Sequence, residues 1–329
     1  MPIAPSFSRI GEDPELSSSP AWVAIGNFDG VHLGHQAVLG EAIAGASADG
    51  LPLRVLTFDP HPAVILGRTA PKTLTALPRK AELLARLGVE RVLVKTFDAE
   101  FDASGPARFA SELLAGTLPA RRVVVSRNFR FGHNRAGDLA TLEKLGAAHG
   151  FSVGSFELRG DEKGTYSSTR VRDALERGDL ADASAVLGRF HAFSGTVARG
   201  EARGRSIGFP TANVEEVVEV VPKNGVYAVV VDRLDGASAT ALGRGVMNVG
   251  VRPTVSRSSE PRRTQEVHLL GTPEIDLYGA RLRVHLVLRL RDEPKSASID
   301  ELRAQIAVDA DRAREAIASI QPIFGGAYG

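Results

Sequence analysis

Short apolar runs and helical periods alternate along the first half of the chain. Residues 22–25, 53–58, 89–94 and 123–125 are apolar runs of strand length bounded by turn signals, which predicts strands buried on both faces. Between them, residues 35–48, 78–87, 106–114 and 139–149 space their apolar positions as helices do. Gly88 and Gly150 stand where a helix would end and turn into the next strand. Alternation at this spacing predicts a Rossmann-like α/β domain, a parallel sheet covered by helices on both faces. Ligands of such sheets bind beyond the carboxyl ends of the strands, so the residues just after each apolar run are the ones that matter.

After about residue 187 the pattern changes. In residues 281–291, Leu282, Val284, Leu286, Leu288 and Leu290 fall on one face, with Arg283, His285, Arg289 and Arg291 on the other, which predicts a half-buried antiparallel strand. Residues 225–231, 245–251 and 265–270 are weaker companions. Strands joined by Gly/Pro turns without intervening helices predict a small antiparallel β-barrel. Ser298-Ile299-Asp300-Glu301 is a capping box, and Leu302, Ile306, Ala310, Ala313, Ile317 and Ile320 continue a C-terminal helix that packs on the barrel. Residues 171–187 read as helical, so the expected domains are 1–187 and 188–329.

Composition narrows the class. The 329 residues suit two domains, and 43% apolar with 24% charged residues is the profile of a soluble globular chain. No run reaches the ~18 apolar residues of a membrane span, and residues 1–20 lack the apolar core of a secretory signal, so a cytoplasmic protein with no membrane partner is expected. With no cysteine, thiolate metal sites and thiol nucleophiles are excluded. A net charge of +1 is low for a protein that depends on many phosphate contacts, so no nucleic-acid partner is expected.

The first strand runs into Gly26-Asn27-Phe28-Asp29-Gly30-Val31-His32-Leu33-Gly34-His35. The glycine spacing fits neither a dinucleotide-binding turn nor a P-loop. Two imidazoles flank Gly34 at a helix mouth, where free backbone amides favour anions, and Gly34 would let phosphate oxygens approach. A turn with surface caps and a metal site are the plainer alternatives.

His32-x-Gly34-His35 after a strand resembles the signature of the nucleotidyltransferases. The longer string is similar to one branch, the prokaryotic bifunctional riboflavin kinase/FMN adenylyltransferases (FAD synthetases). Thr57-Phe58-Asp59-Pro60-His61-Pro62, Asn128-Phe129-Arg130-Phe131-Gly132 and Ser167-Ser168-Thr169-Arg170-Val171-Arg172 match in order. Gly208-Phe209-Pro210-Thr211-Ala212-Asn213, Asn248-Val249-Gly250-Val251-Arg252-Pro253-Thr254 and Glu266-Val267-His268 resemble the riboflavin kinase module.

The resemblance implies an α/β nucleotidyltransferase domain that adenylylates FMN to FAD, followed by a β-barrel domain with a C-terminal helix that phosphorylates riboflavin. ATP is substrate in both halves, and Mg2+ is the cofactor. His32 and His35 would hold the triphosphate, Asn27, Asp29 and Gly34 would shape the nucleotide site, and Ser168, Thr169 and Arg172 would close on the β- and γ-phosphates. Phe58, Pro60, Phe129 and Arg130 are candidates for the flavin, with core packing the alternative for the two rings. In the second half Arg205 and Gly208 would cradle phosphate, Thr211 and Asn213 would bind Mg2+, and Glu266 would be the general base, although a glutamate on a strand is commonly a solvated face residue. The chain departs from the family at Ser126, Phe190-His191, Gly271-Thr272 and Ser296. Two other readings stay open: one active half only, or a non-catalytic flavin- or nucleotide-binding regulator. The expected state is a monomer or weak homo-oligomer.

Overall fold

The computed structural model describes residues 7–12, 19–157, 159–199, 209–236, 238–252, 262–271, 275–293, 299–322 and 327–328. It divides into two compact units, one of Ile3–Pro71 with Ala76–Ser167, the other of Lys72–Thr75 with Ser168–Gly329.

The first unit is built on a six-stranded sheet in the order β1-β4-β3-β2-β5-β6. Its strands, β1 (Phe7–Arg9), β2 (Ala21–Ile25), β3 (Leu53–Asp59), β4 (Arg91–Thr96), β5 (Ala120–Ser126) and β6 (Ser152–Phe156), are all parallel. Alternation divides the core. Trp22, Ala24, Val55, Val92 and Val94 face α1 (Leu33–Ala48) and α3 (Leu77–Leu87). Val23, Ile25, Leu56, Leu93, Val123 and Val125 face the opposite layer, which contains Phe109, Leu114 and Leu142. Burial on both faces is the reason these strands are continuous apolar runs. The short α2 (Pro62–Ile65) follows β3. Trp22 is clasped on the first face: its indole N–H donates to Asp49 Oδ2 at 2.9 Å, and the Arg122 guanidinium lies 4.8 Å from the ring centre. A Cβ on Gly45 of α1 would stand 2.5 Å from the indole, so only glycine lets helix and ring meet.

The expected strands are all present, and β1 and β6 add edges that the apolar pattern does not announce. Gly88 and Gly150 end α3 and α6 (Leu139–His149) in the left-handed conformation, with φ of 105° and 81°. The helix expected at 106–114 differs. After α4 (Ala99–Asp102) and a single turn, α5 (Pro106–Arg108), the chain widens into a π-helix over Phe109–Thr117. The winding brings Phe109, Leu113, Leu114 and Leu118 into one buried layer. A two-stranded hairpin, β7 (Gly160–Asp161) and β8 (Gly164–Thr165), completes the unit.

The second unit opens with α7 (Ser168–Arg177) and α8 (Leu180–Leu187), joined by a buried Arg170–Asp182 ion pair at 2.7 Å. Six antiparallel strands then close a barrel in the order β10-β13-β12-β11-β14-β9. They are β9 (Ala192–Ala198), β10 (Ala212–Glu215), β11 (Gly225–Asp235), β12 (Ser238–Arg252), β13 (Arg262–Leu269) and β14 (Arg281–Arg291). Outside it, α9 (Ile299–Ile317) lays Ala310, Ala313 and Ile317 on Val226, Ala228, Val230 and Leu290. The intervening Tyr227 and Val229 are buried as well, so residues 225–231 show no alternation.

Two expectations for β14 are corrected. Bulges opposite Val226/Tyr227 and Ala228/Val229 shift its phase, which turns Leu288 outward (45% exposed) while Leu290 packs under α9. On the other face Arg283 and His285 are buried rather than solvated. His285 Nε2 meets Asp232 Oδ2 of β11 at 2.9 Å, and the Tyr328 amide donates to Asp232 Oδ1 at 2.8 Å. Burial alone would raise the Asp232 carboxyl, but the hydrogen bond and charge of His285, the Tyr328 amide and Arg283 hold it below its ordinary value. A carboxylate with a depressed pKa stabilises the fold above its unfolded pKa, and that stabilisation is lost as pH falls through the folded value. Asp232→Asn is therefore expected to destabilise the barrel by about 3 kcal/mol near neutrality, the cost of stripping one partner from a buried pair. Thermal melts by circular dichroism from neutral to acid pH should show the gap between variant and parent shrinking below about pH 4. A constant gap would place its origin in packing.

Candidate functional site

The order of the parallel sheet reverses between β2 and β5, and the loop leaving β2 opens at that switch point, where α/β sheets hold ligands. Three left-handed residues within four positions bend it: Phe28 (φ 45°), Gly30 (φ 84°) and Val31 (φ 41°). For a β-branched residue this conformation is a true outlier. It is held because Phe28 and Val31 are buried, the Val31 amide bonds to the Phe28 carbonyl at 3.2 Å, and the Gln36 side chain reaches the Val31 carbonyl at 2.9 Å.

This bend delivers His32 to the N-cap of α1. Its Nδ1 accepts the His35 amide at 3.3 Å, so a neutral ring carries its proton on Nε2. The two imidazoles stack, with centres 3.6 Å apart and planes at 21°, and Phe28 sets its edge against His35. Gly34 has a local reason besides the access for phosphate expected from the sequence. A Cβ there would lie 3.1 Å from His32 Nδ1 and 3.3 Å from the Tyr166 carbonyl.

The next strand supplies the second wall. The Asn27 amide nitrogen lies 3.0 Å from His61 Nε2, and Thr57 Oγ1 donates to the Asn27 carbonyl at 3.4 Å. Lys80 of α3 is a residue the sequence reading missed. Burial lowers its pKa, opposed by the charges of Asp29 and Asp59. A lone lysine on a helix carries no spacing signal that would have found it. Asn27, Asp29, His32, Gly34 and His35 thus share one loop and helix mouth, beside Pro60 and the end of β3.

The flavin candidates fall along a chain of rings. Phe58 meets Phe101 at 6.1 Å, Phe101 meets Phe109 at 6.1 Å, Phe109 meets Phe131 at 5.1 Å, and Phe131 stacks on Phe129 at 5.5 Å. Both Phe58 and Phe129 are half-buried against the core, so packing and an exposed face coexist. Arg130 faces solvent and pairs with Asp138, the cap of α6, at 3.2 Å. Ser168, Thr169 and Arg172 lie in the first two turns of α7, and α7 belongs to the second unit. There Arg172 Nε donates to the Lys72 carbonyl at 2.7 Å.

In the barrel, strand register assembles the site. Asn213 on β10 stands directly across from Glu266 on β13, which stands across from Asn248 on β12. Residues in direct register across antiparallel strands share a face, so the three polar side chains form one row. Asn248 lay in a motif quoted from the sequence, but its place beside Glu266 needed the register. His268, two residues on, meets the Pro210 carbonyl at 2.8 Å and presents its ring edge-on to Phe209, clamping the entry to Thr211. Arg205 and Gly208 lie outside the described residues. So does Ser296, as does Thr272 of the pair at 271–272. Among the departures, His191 is buried and bonds the Val220 carbonyl at 2.8 Å, and Gly271 turns with φ 68°.

Comparison with known proteins agrees with both halves. The FAD synthetase family matches residues 15–170 and the riboflavin kinase family residues 187–317. The bifunctional riboflavin kinase/FMN adenylyltransferase of Escherichia coli (strain K12) is 42% identical over 301 residues, 91% of this chain and 94% of its own. That of Bacillus subtilis (strain 168) is 36% identical over 88% of this chain. A solved structure described as a macrolide-efflux protein from Streptococcus pneumoniae is 28% identical, with a TM-score of 0.81, and covers 94% of this chain and 98% of its own. Among the described residues no helix is long and apolar enough to cross a membrane. With both family halves in one chain, in order and over nearly the whole length of its relatives, the chain belongs to the bifunctional riboflavin kinase/FMN adenylyltransferases.

Proposed function

We propose that this chain phosphorylates riboflavin to FMN in its barrel and adenylylates FMN to FAD in its parallel-sheet unit, with ATP the donor in both steps. The observation that carries both activities is the identity to bifunctional relatives across 91% of the chain, spanning both halves. The same breadth favours two active halves over one.

In adenylyl transfer an FMN phosphate oxygen attacks the α-phosphorus of ATP in line, the bond to the β-phosphate oxygen breaks, and pyrophosphate leaves. This chemistry needs positioning and charge neutralisation. His32 fits because its Nδ1 accepts the His35 amide, so a neutral ring carries its proton on Nε2, the atom that would donate to the triphosphate. His35, stacked on it, and the positive N-terminal end of the α1 dipole favour the same anion. Asn27 and Asp29 shape the nucleotide side. Ser168, Thr169 and Arg172 neutralise the β- and γ-phosphates, and Phe58, Pro60, Phe129 and Arg130 hold the flavin.

In the kinase step Glu266 takes the proton of the riboflavin 5′-hydroxyl while that oxygen attacks the γ-phosphorus and ADP leaves. The Thr211 hydroxyl and the Asn213 amide oxygen are hard donors, and among the described residues no group of three or more His, Asp or Glu could hold a metal ion. That donor set fits Mg2+, which is held largely by water and substrate phosphates and which, when bound, spreads the phosphate charge. Asn213 and Asn248 flank Glu266 on the neighbouring strands.

Incubation with riboflavin, ATP and Mg2+, followed by chromatography of FMN and FAD, tests the whole reading. Accumulation of FMN without FAD, or of neither, would reject it. His35→Ala is expected to abolish FAD formation from FMN and leave FMN formation intact. Loss of both in a folded variant would contradict separate sites. Glu266→Gln keeps the size but not the basicity, so kinase turnover should fall by about 10² to 10⁴. ATP affinity, read by titration calorimetry, should hardly change. Lost affinity with preserved turnover would reverse the role of Glu266.

A further inference from the structure

Strand β1 lies outside the residues matched by the FAD synthetase family, which begin at 15, yet it carries a side chain to the edge of the adenylylation site. Arg9 is level with Val94 on β4, and Val94 with Thr57 on β3. Asp59 follows two residues beyond Thr57, on the face where Val55 and Val94 meet α1 and α3. The Arg9 guanidinium crosses β4 on that face and meets Asp59 Oδ2 at 2.7 Å.

Asp59 starts the turn that ends in His61. Its own carbonyl accepts the Phe97 amide at 3.2 Å, and His61 caps α2 through the Ala63 amide while touching Asn27 at 3.0 Å. We propose that Arg9 is a positioning residue for adenylyl transfer. It fixes the Asp59 carboxylate and, through the turn to His61, sets Asn27 at the mouth of the phosphate loop. Lys80, whose charge also acts on Asp59 and Asp29, is the second cation of this cluster. Arg9 and Asp59 are both half-exposed, and an ion pair of that kind adds little to folding stability. Its effect falls on where the turn stands. The inference rests on placing the adenylylation site at Asn27 to His35.

The test uses the full chain in five forms: parent, Arg9→Ala, Arg9→Lys, Asp59→Asn and the double variant Arg9→Ala/Asp59→Asn, with His35→Ala as reference. FAD formation from FMN, FMN formation from riboflavin and the melting temperature are measured for each. Arg9→Ala and Asp59→Asn should each lower kcat/KM for FAD formation by about tenfold to hundredfold, as a displaced positioning group does. The double variant should be no worse than either single one, because both remove the same coupling. Arg9→Lys keeps the cation and should recover most of the rate, and FMN formation and melting should stay at parental values throughout. Additive losses, a rate within twofold of the parent in Arg9→Ala, or a fall in melting that tracks the rate would each overturn the role. If His35→Ala itself still made FAD at the parental rate, the location of the site would be wrong instead.

Discussion

The adenylylation half depends on the burial of Phe28 and Val31. The loop between β2 and α1 places two non-glycine residues at positive φ, each a strain of about 1–3 kcal/mol. Burying a side chain of this size contributes roughly 1.5–3 kcal/mol, so the two effects are of the same order and the apolar contacts can hold the bend. The placement of the candidate phosphate-binding residues follows from it. With Val31 locked inward, His32 reaches the cap of α1, its Nδ1 is occupied and His35 stacks on it. A smaller residue at either position would release the bend before it disturbed the sheet.

The barrel uses register for the same purpose. Asn213, Glu266 and Asn248 come from three different strands, and antiparallel pairing alone brings them into a row. A slip of one residue would send every member to the opposite face. The closed barrel guards against this, since β10 and β9 pair to complete the ring and leave no strand free to slide at an edge.

These devices differ in how far they can be read from a sequence. Strands β2 to β5 are legible because burial on both faces makes them continuous apolar runs, and the caps at Gly88 and Gly150 because only a left-handed residue fits there. Strand β6 is signalled only by the turn at Gly150, since Ser152–Phe156 makes no continuous apolar run, and β1, the short edge Phe7-Ser8-Arg9, is not signalled at all. The π-helix at Phe109–Thr117 has an ordinary helical composition, and the bulges of β14 show only in its pairing with β11, so neither is visible locally. Motif residues such as His32, Gly34 and Glu266 could be named in advance. What the fold adds is the tautomer of His32, the tight packing of its ring against Gly34, and the neighbours Asn248, Lys80 and Arg9.

Trp22 is the single tryptophan of the chain, and its indole is held by Asp49, Arg122 and Gly45 within the parallel-sheet unit. Three of the four tyrosines, Tyr227, Tyr278 and Tyr328, belong to the barrel unit. Emission excited at the red edge therefore reports one half alone, while the far-ultraviolet dichroism of the strands averages both. Coincident transitions would mean that the halves melt as one cooperative body, and separated ones that each has its own stability. The clasp that serves as packing around β2 is thus also a built-in optical label for the half that makes FAD.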